Sequence, residues 1–124
     1  MIEQILDLPP GTLGFTAIGK VTTDDYENVI VPDIEAAFAI NRKVRMLYHL
    51  GEQFDGFESG AVWDDVKLGF RHFSGWDRIA MVSDVGAMRS LARVMGMFVP
   101  ADIRVFANSE LATAKAWIAE PMEP

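Results

Sequence analysis

The stretch KVRMLYHLGEQFDGFESGAVWDDV, residues 43–66, decides the fold. It opens with an apolar run, 44–50, which predicts a buried strand. Gly51 ends this run, and the turn-rich acidic segment 52–58 predicts a loop. The Ser-Gly pair at 59–60 then opens a helical pattern. Because open α/β sheets place their binding sites beyond the carboxyl ends of the strands, this loop is the first candidate for a functional site.

Outward from this unit, strand and helix patterns alternate along the chain. Pro9-Pro10-Gly11 predicts a hairpin between the first two strands. The later alternation predicts parallel strands joined by right-handed crossovers. The predicted strands are 2–8, 13–19, 44–50, 78–83 and 103–107, and the predicted helices run from Thr22 or Thr23, over 60–73, over about 86–98, and from a capping Ser109 to Pro121.

We therefore expect a single-domain α/β protein of order ββαβαβαβα. Its five-stranded mixed sheet should have strand one antiparallel and strands two to five parallel. If the crossovers always advance in one direction, the strand order is sequential and the helices lie mainly on one face; a reversal of the order stays open. Pro32 falls inside the apolar stripe of the first helix and should kink or split that helix. Four strand residues should be largely buried, namely Leu47, Ile79, Met81 and Val105.

The composition excludes several classes of protein. The chain has 124 residues, no cysteine and a net charge of −7. The lack of cysteine excludes disulfide frameworks, thiolate catalysis and Cys-ligated zinc, and the acidic balance disfavours nucleic acid as the main partner. No apolar run approaches the ~20 residues of a transmembrane segment, and the N-terminus lacks the basic and apolar regions of a signal peptide. We expect a cytoplasmic protein.

The sequence contains no catalytic or metal-binding signature. It has no G-x-S-x-G, G-x-G-x-x-G or P-loop motif. His49 and His72 lack a metal-binding spacing, and a histidine within an apolar run is typical of a packed strand. Glu52, Asp55 and Glu58 could hold a divalent cation, but an ordinary turn is the favoured interpretation of that loop. We expect no enzyme activity, no cofactor and no metal.

Four segments of the chain resemble the SpoIIAA-like family, and the resemblance covers nearly the whole sequence. They are DDYENVIVPDIEAAF (24–38), FDGFESGAVWDDVKLGFRHF (54–73), RIAMVSD (78–84) and IRVFANSELATAKAWI (103–118). This is a family of small bacterial proteins with the fold of STAS domains and of the lipid-binding CRAL-TRIO domains. Most of its members have no established activity, so the resemblance implies a fold more strongly than a function.

In SpoIIAA-type STAS domains, an Asp-Ser-Ser-Gly motif opens the helix after the third strand. Its second serine is phosphorylated by a partner kinase that is also an anti-sigma factor. The corresponding residues here are Phe57, Glu58, Ser59 and Gly60, so only the Ser-Gly pair matches. The surrounding acidic residues raise the electrostatic cost of a phosphate. A plain helix cap is therefore the favoured interpretation of Ser59, and a phosphorylation switch is the alternative.

The helix at 86–98 is apolar on more than one side. One stripe should be core, and it consists of Met88, Leu91, Ala92, Met95 and Val99. A second stripe consists of Arg89, Arg93 and Met97, with Val94 and Phe98 on its flank. Either Phe98 and Val99 turn inward where the helix ends, or the second stripe is an interface for self-association or for lipid.

The leading hypothesis is a non-enzymatic binding or regulatory module for an apolar small molecule or a lipid. Its site should be rimmed by loops at the carboxyl ends of strands two to five, with Trp63 and Trp76 beside it. The candidate residues are Lys20, Glu52, Asp55, Phe57, Glu58, Ser59, Trp63, Ser83, Asp84 and Asn108. The second hypothesis is a protein-interaction module of the anti-sigma-antagonist type, switched at Ser59. An enzyme that uses the acidic loop is the weakest of the three.

Overall fold

The computed structural model describes residues 1–60 and 74–121. The helix predicted over 60–73 lies, apart from Gly60, outside the described residues. The strands are β1 (Ile2–Gln4), β2 (Thr12–Val21), β3 (Val44–Phe57), β4 (Trp76–Ser83) and β5 (Asp102–Phe106). The described helices are α1 (Thr23–Asp25), a π-helical turn (Tyr26–Ile30), α2 (Val31–Ile40), α3 (Gly86–Phe98), a 3₁₀ turn (Asn108–Glu110) and α4 (Leu111–Ile118).

The five strands form one sheet in the sequential order β1-β2-β3-β4-β5. β1 is antiparallel to β2, and the other neighbouring strands are parallel. The predicted mixed α/β sheet is therefore confirmed, with β3 at its centre. Sequential order follows from crossovers that always advance in one direction, so the open alternative of a reversed order is excluded.

The two faces of the sheet carry separate cores. On the first face, β2 and β3 side chains such as Phe15 and Tyr48 pack with Ile30 and Ile34 of the first helical segment. On the second face, Leu47, Ala80 and Val82 pack under α4. The side chains of one strand alternate between faces, so neighbours such as Leu47 and Tyr48 belong to different cores. Among the described helices, α2 and α3 cover the first face and α4 covers the second.

The first helical segment accommodates Pro32 by a change in helix type. Thr22 caps its start, since the Thr22 hydroxyl oxygen accepts from the Asp25 N–H at 3.2 Å and the Asp25 carboxylate accepts from the Thr22 N–H at 2.8 Å. Tyr26–Ile30 is a π-helical turn, and α2 begins directly after it with Pro32 in its first turn. A proline has no N–H to donate, and the wider turn before it absorbs the mismatch.

The acidic segment 52–57 is part of a strand, which corrects the prediction of a loop there. β3 continues to Phe57 and pairs with β2 through bulges: it advances from Leu50 to Phe54 while β2 advances only from Ala17 to Gly19. Gly19 and Gly56 have positive φ values of 66° and 94° in this region. Glycine tolerates such angles, so here it bends the ribbon and does not end it.

Three further expectations are corrected. β1 is shorter than the predicted strand 2–8. Leu47 is fully buried as expected, but Ile79, Met81 and Val105 are only half-buried. Ser109 does not cap the last helix, because the 3₁₀ turn already begins after Ala107, whose N–H donates to the Glu110 carboxylate at 2.7 Å. The glutamate side chain thus provides the cap that was expected from the serine.

Candidate functional site

An apolar cavity of about 70 Å³ lies on the first face of the sheet, beneath α3. Its described lining comes from the Tyr26–Ile30 turn, α2, β3, β4, α3 and β5, and includes Met46, Met81, Met95 and Ile103. Tyr48 and Trp76 are the two described lining residues with a polar side-chain atom. The Tyr48 hydroxyl lies 3.1 Å from the Tyr26 hydroxyl. The cavity is therefore suited to hydrocarbon.

Trp76 is one of the residues that line this cavity, and it carries a buried hydrogen-bond donor. Its side chain is 3% exposed and packs edge-on against Phe38, with 5.1 Å between the ring centroids. Nε1 of Trp76 is buried and has no hydrogen-bond partner within the part of the chain that the structure describes. Most buried indole N–H groups have a partner, since an unpaired buried donor costs about 1–3 kcal/mol. A ligand oxygen that reached Nε1 would remove that cost.

α3 covers the cavity loosely. Of the predicted core stripe, only Ala92 is buried; Met88, Met95 and Val99 are half-buried, and Leu91 is 40% exposed. The helix rests on β5 at Gly96, where a Cβ atom would lie 3.6 Å from that of Ile103. A helix held by so few buried side chains opens at a lower free energy than one embedded in a core.

The outer side of α3 is apolar and exposed. Val94, Met97 and Phe98 are 51%, 79% and 71% exposed. The alternative in which Phe98 and Val99 both turn inward is therefore wrong for Phe98, although Val99 does line the cavity. Arg93 is also exposed, whereas Arg89 donates to the Ser83 carbonyl oxygen at 2.9 Å and so ties the start of α3 to the end of β4.

A second depression, the polar pocket, lies on the opposite face beside the middle of β2 and β3. Its volume is about 370 Å³, and its lining includes Thr16, His49, Glu52, Gln53 and Asn108. Thr16 and His49 are register partners on adjacent strands, and Thr16 Oγ1 lies 3.3 Å from His49 Nδ1. Burial, and then the positive charge of Lys115, lower the pKa of His49 below its ordinary value.

Only some of the sequence-predicted site residues come together. Glu52 and Asn108 line the polar pocket, and Asp84 supports it because its carboxylate accepts from the Asn108 N–H at 2.9 Å. Ser83 is fully buried, and its hydroxyl oxygen accepts from the Val85 N–H at 3.0 Å. Lys20 and Asp55 are exposed strand residues outside both depressions.

The remaining predicted residues lie at the end of β3. Phe57 packs edge-on against Phe54, with 5.1 Å between the ring centroids. Glu58 accepts from the Thr23 hydroxyl at 2.8 Å; this bond, and then the one from the Thr23 N–H, lowers the pKa of Glu58. Ser59 is exposed, and the helical backbone already includes it. Trp63 lies outside the described residues.

The described part of the chain contains neither a candidate metal site nor a candidate membrane-spanning helix. Within residues 1–60 and 74–121, no group of three or more His, Cys, Asp or Glu side chains is arranged to hold a metal ion. Across those same ranges, no helix has the length and apolar character needed to cross a membrane.

Sequence reasoning missed two features of these sites. It gave His49 only a packing role, and the signal that could have placed it beside Thr16 is the register between β2 and β3, which is a long-range pairing. It named Trp76 as a flanking residue without its unpaired N–H. The signal that could have drawn attention to Trp76 is its position as the first residue of a strand, because a fully buried tryptophan is rare.

Comparison with known proteins adds a family and a structural relative. The model of the family described as SpoIIAA-like matches residues 12–119. A crystal structure of an uncharacterized protein from the DUF3478 family, with a SpoIIAA-like fold, from Shewanella loihica PV-4 is similar to this chain with a TM-score of 0.76 and 28% identity. That similarity covers 94% of this chain and 93% of the other. No curated protein matches the chain.

Proposed function

The chain belongs to the SpoIIAA-like family, whose fold is that of a STAS-type binding or regulatory module, and we propose that this member binds an apolar molecule without catalysing a reaction. The proposed ligand is a small molecule or lipid with a hydrocarbon part and one uncharged acceptor oxygen. Its site is the cavity beneath α3.

The observation that carries this proposal is the unpaired N–H of Trp76, one of the residues that line the largely apolar cavity. A ketone or ester oxygen would accept from Nε1 while the attached chain contacts the methionine and isoleucine side chains. A carboxylate fits less well, because one N–H does not compensate the cost of moving a charge into an apolar site. The chemistry of the wall therefore favours a neutral carbonyl compound over a fatty-acid anion.

The size of the cavity implies that α3 must move. A cavity of 70 Å³ is smaller than the ~150 Å³ cavity that admits benzene in an engineered core. A hydrocarbon chain therefore enters only if the side chains that line the cavity move apart. Met46, Met81 and Met95 are flexible and adapt their shape to a ligand, and α3 is held by Ala92 as its only buried residue. Outward movement of α3 is the expected response to binding.

A lipid surface is the proposed source of a lipid ligand. Val94, Met97 and Phe98 would insert into the interface, and Arg93 would face anionic headgroups. α3 has no acidic residue, in contrast to the net charge of −7 for the chain. Each basic residue near an anionic surface contributes about 1 kcal/mol, so this attraction is local and screened by salt.

The ligand proposal is tested with two probes of equal chain length, 2-nonanone and nonanoate. ¹⁵N–¹H spectra follow the Trp76 indole resonance, which is assigned by its loss in Trp76→Phe. We expect 2-nonanone to shift this resonance downfield in a saturable way and nonanoate to act only at about tenfold higher concentration. If 2-nonanone leaves the indole resonance unchanged up to its solubility limit in water, the proposal is wrong.

A matched pair of variants locates the site. Ala92→Leu places a larger side chain in the cavity, whereas Ala87→Leu makes the same change at an exposed position of α3. The first variant should weaken 2-nonanone binding by about tenfold or more, and the second should leave it unchanged. Equal binding by both variants would place the ligand elsewhere.

The lipid-surface part is tested by vesicle flotation with phosphatidylglycerol-containing and pure phosphatidylcholine vesicles. Met97→Glu should reduce binding to the anionic vesicles, and rising salt should reduce it further. Leu6→Glu is the control, because Leu6 is 84% exposed and lies outside α3. Wild-type protein that ignores both vesicle types would restrict the proposal to a soluble small molecule.

A further inference from the structure

The polar pocket on the second face is a separate candidate site, and its position follows from the fold. It lies where β2 and β3 meet the 3₁₀ turn that leads into α4. The apolar cavity lies on the other face, so the two depressions share no lining residue. Its volume of about 370 Å³ falls in the range of about 300–1,000 Å³ that is usual for small-molecule sites.

Asn108 lines this pocket and carries an unused acceptor. Its Oδ1 atom is buried and has no hydrogen-bond partner among the residues that the structure describes. The Asn108 backbone is fixed, because its N–H donates to Asp84 and the preceding Ala107 N–H donates to Glu110. The backbone that carries this side chain is therefore held in place, while the side-chain oxygen lacks the partner that buried carbonyl groups normally have.

The pair of Thr16 and His49 supplies further polar atoms. The lowered pKa keeps the His49 imidazole neutral at pH 7, so it offers one N–H donor and one ring acceptor, one of which faces Thr16 Oγ1. Gly51 lies against the ring, since a Cβ atom there would be 3.1 Å from Nε2. Any larger residue at this position would press on the imidazole.

The charges around the pocket disfavour an ionic ligand. An anion would face Glu52 and the acceptor oxygen of Asn108 in a chain of net charge −7. A cation would face Lys115, whose charge already acts on His49. We propose that the polar pocket binds a small uncharged molecule rich in hydroxyl groups, one of which donates to Asn108 Oδ1 while others contact Thr16 and His49.

The test is a ¹⁵N–¹H titration with three neutral polyols, namely glycerol, myo-inositol and D-glucose. We expect at least one of them to shift the Asn108 and Gly51 backbone resonances in a saturable way. Inorganic phosphate and ethylammonium, which represent the two ionic classes, should not do so. If no polyol gives a saturable shift, or if phosphate or ethylammonium binds at these residues instead, the proposal is overturned.

Asn108→Leu separates a binding role from a structural one. It replaces the unpaired acceptor by an apolar group of similar shape, so thermal stability should stay equal or rise while polyol binding falls at least tenfold. The control is Asn28→Leu, an exposed asparagine in the π-helical turn, which should leave polyol binding unchanged. A variant of Asn108 that loses stability and keeps polyol binding would assign this residue a structural role only.

Discussion

The helices α4 and α3, which lie on opposite faces of the sheet, are anchored by different numbers of buried side chains. On the second face, α4 contributes three buried residues, Ala114, Trp117 and Ile118. On the first face, α3 is longer but contributes only Ala92. The shorter helix is thus the better anchored one. The difference teaches that helix length is a poor guide to stability, which depends on how many side chains a helix buries.

Hydrogen bonds from arginine side chains also anchor α4. Arg45, which is 3% exposed, donates to the Asp77 carboxylate at 2.6 Å and to the carbonyl oxygens of Ile118 and Glu120. Arg78 donates to the Trp117 carbonyl oxygen at 2.9 Å and its guanidinium stacks on the Trp117 ring. These bonds satisfy carbonyl groups that a helix end leaves without partners. α3 has no basic residue in its last turn.

Truncation of a core residue on each face should have the largest effect and the largest contrast. Leu47→Ala removes a fully buried side chain beneath α4 and should cost about 2–5 kcal/mol of unfolding free energy. Met95→Ala acts at a half-buried position beside an existing cavity and should cost about 1 kcal/mol. Urea unfolding followed by circular dichroism measures both. Equal costs would show that the two faces are packed alike.

The buried arginine should come next. Arg45→Met leaves the carbonyl oxygens at the end of α4 without their donor, at a cost of about 1–3 kcal/mol. Arg104→Met is the control, because Arg104 is 55% exposed and contacts Trp117 only through its ring face; it should change stability by about 0.5 kcal/mol or less. The same unfolding assay applies. If the Arg45 variant is as stable as the control, the arginine hydrogen bonds do not stabilise the end of α4.

A smaller effect should appear on acidification. The pKa of His49 is lowered in the folded state, so the unfolded chain binds its proton first as the pH falls. The contribution of His49 is complete above its ordinary pKa of 6.5 and is lost as the pH drops below that value towards the folded pKa. His49→Gln should flatten the curve of stability against pH just below 6.5. A variant curve parallel to the wild-type curve would contradict the burial of this imidazole.

The smallest expected effect is at Ser59. Its side chain is exposed, so Ser59→Asp should change the unfolding free energy by about 0.5 kcal/mol or less. The neighbouring Glu58 carboxylate opposes a phosphate, and we expect protein isolated from its own cells to show no phosphoryl group by intact mass. A phosphoryl group on Ser59 that is lost in Ser59→Ala would favour the protein-interaction switch over ligand binding.

Local patterns predicted much of this fold. The bounds of α3 were predicted as about 86–98 and are Gly86–Phe98, and the hairpin and the parallel strands followed from turn signals and alternation. The continuation of β3 to Phe57 was missed because its bulged pairing with β2 is a long-range contact that no local pattern records. In the sequence, Gly51 indicates the end of a strand, but in the structure β3 continues to pair with β2 beyond this residue.

The sites were harder to predict than the fold. A cavity depends on the space that remains between α3 and the sheet, and composition does not determine that space. In the same way, composition does not determine which buried polar atoms lack a hydrogen-bond partner, as Trp76 Nε1 and Asn108 Oδ1 do. The sequence did indicate Asp84 and Asn108, because residues at the carboxyl ends of adjacent parallel strands come together.

The central claim is that α3 moves to admit a ligand on the first face, while α4 stays in place on the second face. Hydrogen exchange of the α3 and α4 amides, with and without 2-nonanone, tests it most directly. We predict that α3 exchanges about tenfold faster than α4 in the free protein, and that 2-nonanone changes exchange in α3 and not in α4. Equal protection of the two helices, with no change on adding 2-nonanone, would contradict the claim.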